Sequence, residues 1–231
     1  MNKIIVEICC SSIASIKNAV EGKAHRIELC QNLLADGLSP SSEFLEKASS
    51  VCKLPIHVLI RPRSGCFYYN TNEIEQIGKD IERIKEFPIQ GIVIGALNEN
   101  NSLALEHLKN WRAMCPNLNF TFHRAFDVVK DPEKALNQLV NIGYDRVLTS
   151  GQKPKAIDGL TLLKKLNSKY SNQISIMPGG GVNDKNVYKF LNAGFKQIHL
   201  SAKAHSEVTT EDPISNLEII KSVMSTVALF K

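Results

Sequence analysis

A chain of 231 residues with 43% hydrophobic and 22% charged side chains can bury a full core, which excludes a disordered chain or one held together by disulfides. The net charge of +5 is spread along the sequence and not gathered into a basic run, which argues against nucleic acid as a partner. No run of 18 apolar residues offers a membrane span, and the opening MNKIIVEICC has no signal-peptide h-region, so the sequence predicts a cytoplasmic protein. Six cysteines without a CxxC pair fit thiols in a reducing compartment better than a closed zinc knuckle.

In chain order, runs rich in Ile, Val, Leu and Phe mark strands over 3–10, 25–30, 56–62, 91–97, 119–126, 145–150, 174–179 and 197–202. Segments of helical period separate them. Ser39-Pro40-Ser41-Ser42-Glu43 and Asp131-Pro132-Glu133 place capping side chains and an early proline before such segments. Gly22, Gly143 and Gly194 stand just past helix ends, where a left-handed residue is expected.

Strict alternation of strand and helix implies a parallel sheet covered on both faces. An open doubly wound sheet and a closed barrel both satisfy the alternation. Eight evenly spaced units in this length match an α/β fold of the TIM type, a (β/α)8 barrel, and no linker divides residues 1–231, so a single domain is predicted.

In such a barrel the chemistry gathers at the C-terminal strand ends, and residues two apart on a strand share a face. Glu7 with Cys9, Glu28 with Cys30, Arg61 with Arg63, Thr121 with His123, and His199 with Ser201 then point together, and Cys10 points away from Cys9. A structural ion-pair network accounts for any one of these residues. The whole set at one mouth points to a binding or catalytic site.

Glu7 and Glu28 on adjacent strands can act as an acid and base pair, and His123 as a general base. Arg61 and Arg124 are candidate anion holders. Gly179, Gly180 and Gly181, where strand seven leads into its helix, form with Ser201 either a phosphate cradle or a tight turn. Cys9 and Cys30 occupy equivalent places on neighbouring strands, so their sulfurs can share one soft ion, Cu(I) or zinc, unless both are small buried hydrophobes.

Read in order, VEICC, RIELC, DGLSPS, IRPRSGCFYY, TFHRAFD, RVLTSGQ, PGGGV and HLSA closely resemble the CutC family of proteins assigned to copper homeostasis. The resemblance runs from about residue 5 to residue 202. It implies a TIM-type barrel, a homo-oligomer (dimer or tetramer), and Cu(I) bound by Cys9 and Cys30. The chain departs from the family's usual RPRGGDF, with Ser64 and Cys66 where a Gly and an Asp are common. The segment after strand eight is also short, from Lys203 to Pro213.

Two functions therefore stand: a copper-binding protein, or a barrel enzyme acting on a small anionic substrate, phosphate or carboxylate, through its Glu, His and Arg residues.

Overall fold

The structure, a computed structural model, describes residues 3–204 and 212–230; most of the short segment after strand eight lies outside the described residues. The strands are β1 (Ile5–Cys10), β2 (Arg26–Leu29), β3 (Ile56–Leu59), β4 (Gly91–Val93), β5 (Asn119–Phe122), β6 (Arg146–Thr149), β7 (Ser175–Pro178) and β8 (Gln197–Leu200). Among the described residues the pairings between these strands are parallel, and neighbours follow chain order from β1 to β7, with β8 returning beside β1. That return rules out the doubly wound sheet, whose strand order reverses. β7 and β8 lie side by side, and Gln197 Nε2 donates to Ser175 Oγ across them at 3.0 Å, so the barrel is nearly closed.

The helices α1 (Ile13–Glu21), α2 (Ser42–Val51), α3 (Thr71–Ile84), α4 (Leu105–Met114), α5 (Pro132–Asn141), α6 (Leu160–Tyr170), α7 (Val187–Asn192) and α8 (Leu217–Ala228) alternate with the strands. Their starts follow the predicted chemistry: Ser41 accepts from Phe44 N at α2, and Asp131 accepts from Lys134 N with Pro132 opening α5.

Two expectations need correction. The strands are shorter than the apolar runs suggested: Pro62 has no N–H to extend a ladder, and His123 caps a 3-10 turn over Arg124–Val128 where a strand to residue 126 was predicted. Gly22 is not left-handed, with φ −71°, and the left-handed residue is Lys23. Glycine is needed at 22 because a Cβ there would lie 2.4 Å from Ile220 Cγ2, so its absence lets α8 approach the end of α1.

Candidate metal centre

Alternation divides each strand between two environments. Val6, Ile8, Cys10, Ile27, Leu29, Val58 and Ile92 enter the core between barrel and helices, whereas Cys9 and Cys30 join Leu59 and Val93 in a separate layer inside the barrel. β1 pairs with β2 so that Cys9 faces Glu28, and this register brings Cys9 Sγ to 3.5 Å from Cys30 Sγ. The hydrogen bond with Cys30 and burial both push the Cys9 thiol well above its usual range. At neutral pH the Cys9 thiol is therefore protonated.

Just below the thiols stands a charged cluster. His199 sits between two carboxylates, with Nδ1 2.8 Å from Glu7 Oε1 and Nε2 3.7 Å from Glu28 Oε2. Glu7 also accepts from Arg26 Nε at 2.5 Å, and its Oε2 lies 3.6 Å from His57 Nδ1. Burial alone would raise the Glu7 pKa, but the Arg26 charge and then the His199 hydrogen bond outweigh it and hold the carboxyl well below its usual range. Glu28 moves the other way, pushed up by burial that His199 only partly offsets. Burial disfavours a charged His199, yet Glu28, Cys9 and Glu7 lift its imidazole well above the usual range.

Ligand atoms of Cys9, Glu28 and His199 all lie within 4.8 Å of one another, with Cys30 beside Cys9. One sulfur, an imidazole nitrogen and a carboxylate oxygen thus lie within reach of one ion, with a second sulfur 3.5 Å from the first. This is a donor set for a soft or borderline ion.

The other predicted residues fall elsewhere. Glu7 and Glu28 are both buried and flank one histidine. Two residues further along their strands than Leu59 and Thr121, Arg61 and His123 stand at the mouth, where the missing side chain of Gly95 leaves room for the His123 ring. Arg63 pairs outside with Glu73, and the exposed Cys66 contributes nothing to the lumen.

Arg124 is engaged by Asp127 at 2.8 Å and by Ser150 Oγ at 3.2 Å. Gly180 and Gly181 have φ +95° and +72°, which accounts for glycine there, and α7 begins only at Val187, so the turn does not open directly into a helix N-terminus. Gly179 packs by Leu148 and His199, and the half-buried Ser201 follows β8.

Sequence reasoning passed over the polar layer beneath. Arg146 donates to Thr121 Oγ1 at 3.1 Å and Gln197 Oε1 at 3.2 Å and contacts His57, and Arg26 shares Gln197 Oε1 at 3.0 Å. Parity carried the signal: Arg26 stands two residues before Glu28. Arg26 and Arg146 open their strands, at the opposite end from the mouth.

The sequence profile described as the CutC family matches residues 4–204. The chain belongs to the CutC family. It is similar to the copper homeostasis protein cutC homolog of Mus musculus, 41% identical over 204 residues that cover 88% of this chain and 75% of that one. A CutC family protein of Pasteurella multocida is 40% identical over 201 residues, covering 87% and 82% of the two chains. Among solved structures, the CutC copper homeostasis protein of Streptococcus agalactiae superposes with a TM-score of 0.81 at 32% identity, covering 86% of this chain and 98% of that one. Among the described residues no helix is long and apolar enough to cross a membrane.

Proposed function

We propose that this CutC-family chain is a cytoplasmic copper-handling protein that binds Cu(I) through Cys9 and Cys30. The observation that carries the reading is the pair of buried sulfurs 3.5 Å apart inside the barrel, with His199 and Glu28 beside Cys9. Thiolates are soft ligands and favour Cu(I) over hard cations. The copper homeostasis named for the mouse and Streptococcus agalactiae relatives supports the same ion.

The two thiols would hold the ion, and binding requires loss of their protons. Glu28 adjoins Cys9 and is a carboxylate placed to receive one of them, while the charged His199 beside it favours the thiolate. A reducing cytosol keeps both sulfurs available. Homo-oligomeric assembly belongs to the same reading, and sedimentation of the purified protein tests it.

Anaerobic Cu(I) titration against a competing chelator, with a parallel Zn(II) titration, tests the binding. Cys9→Ser with Cys30→Ser should abolish high-affinity Cu(I) uptake while the fold persists. Affinity unchanged in that variant, or Zn(II) held in preference to Cu(I) under the same competition, would overturn the reading.

A further inference from the structure

Above the thiol layer, the barrel mouth contains a group of donors that the copper reading does not use. Arg61, His123 and Tyr69 are only 4%, 4% and 6% exposed. Each keeps one buried polar atom without a hydrogen-bond partner: Arg61 Nε, His123 Nε2 and Tyr69 Oη. Buried polar atoms are seldom left so, because each costs about 1–3 kcal/mol.

All three atoms are donors. The guanidinium N–H is permanent. Burial pushes the Tyr69 hydroxyl up to about 12, so it keeps its proton. Burial, and then the Arg61 charge, bring the His123 pKa down to about 3, so the ring is neutral at physiological pH. Its Nδ1 accepts from Ala125 N at 3.2 Å, which leaves the ring proton on Nε2.

Arg61 and His123 meet around Phe67. The Arg61 guanidinium carbon lies 5.0 Å from the centre of the Phe67 ring, and that ring lies 4.9 Å from the His123 ring. Tyr69 follows two residues on with its hydroxyl near the Arg61 guanidinium, and among the described residues no acceptor takes its proton.

Charge points the same way. The other arginines of this end, Arg63 and Arg124, are matched by Glu73 and Asp127. Arg61 is more deeply buried than either and donates only to backbone carbonyls: Ala35, Asp36 and Gly37 through NH1, and Gly65 through NH2. Among the described residues no carboxylate lies within ion-pair distance of it. A buried cation without a counter-charge costs several kcal/mol. A water molecule would accept from two donors but leave that charge unmatched.

We propose that the barrel mouth holds a second site, independent of copper, in which Arg61, His123 and Tyr69 bind a small oxyanion, a phosphate or a carboxylate. The ligand supplies the acceptors and the negative charge that Arg61 does not find among the described residues. The exposed turn Ser64, Gly65 and Cys66, tied to Arg61 through the Gly65 carbonyl, leads from the site to solvent.

The test titrates inorganic phosphate and, separately, malonate into the full-length protein at constant ionic strength, with chloride as control, following binding heat and melting temperature. One of the two should bind saturably, one anion per chain. Tyr69→Phe should weaken that binding about tenfold, the value of one hydrogen bond to a charged group. The same variant should melt no lower than wild type without anion, because it removes a hydroxyl that has no internal partner.

His123→Asn, which can still cap the 3-10 turn, should weaken the anion similarly, and Cu(I) affinity should be unchanged in both variants. The proposal fails if neither anion binds saturably at millimolar concentration, or if both variants bind as wild type does. It fails equally if Tyr69→Phe lowers the melting temperature of the anion-free protein, since the hydroxyl would then have a structural partner.

Discussion

Arg26 and Glu7 meet across β1 and β2 with Nε 2.5 Å from Oε2, and both side chains are buried inside the barrel. The carboxylate is stabilised by contact with the guanidinium, aided by His199, and not by water.

Removing one partner should therefore cost more than the pair contributes. Glu7→Gln leaves Arg26 charged and buried, and urea unfolding should show a loss of about 3–5 kcal/mol. Adding Arg26→Met should recover part of it, because the stranded charge is then gone. A Glu7→Gln protein as stable as wild type would show that water reaches this layer.

Gly22 should resist substitution for a reason unrelated to its backbone angle. Gly22→Ala forces a methyl against Ile220 Cγ2 and should destabilise by about 1–3 kcal/mol. Ile220→Ala should relieve much of the added cost in a double-mutant cycle, whereas a backbone origin would leave the two effects additive.

His123 sets a pH dependence whose sign is fixed by its lowered pKa. Between about 3 in the folded state and the usual 6.5 in the unfolded state, only the unfolded chain binds this proton. The contribution is fully present above pH 6.5 and is lost as pH falls through that window, by about 1.4 kcal/mol per pH unit for this single group. Urea midpoints measured from pH 7 down to pH 4 should fall less steeply for His123→Asn than for wild type.

Thiol reactivity should separate the cysteines by place. Cys66 is exposed, Cys52 is half-buried, and Cys9, Cys10, Cys30 and Cys115 are buried. A thiol reagent applied to the native protein should find one fast site per chain, lost in Cys66→Ser, with the lumenal pair reacting only after denaturation. Fast modification of Cys9 or Cys30 would indicate an open mouth.

The fold was largely legible because its signals are local. Alternating apolar runs and helical periods, with Ser41 and Asp131 as caps, mark each β/α unit wherever it lies. Period-two alternation also separated Cys9 from Cys10 and paired Glu7 with Cys9 on one face, as the two layers now show. His199 was visible as a polar strand-end residue, but nothing in HLSA says that it stands between Glu7 and Glu28.

By itself, then, the sequence determined the repeating β/α units, the face on which each side chain emerges, and membership of the CutC family. Only the tertiary structure decided which of those side chains meet. Barrel closure sets β8 beside β1, bringing His199 to Glu7 across 192 positions of sequence, and the stagger of β1 against β2 sets the sulfurs 3.5 Å apart. It also decided that Arg124 has a carboxylate partner and that Arg61, among the described residues, donates to backbone carbonyls instead. The physical reason is that periodicity fixes direction along one strand, whereas distance and charge balance depend on register between strands far apart in the chain.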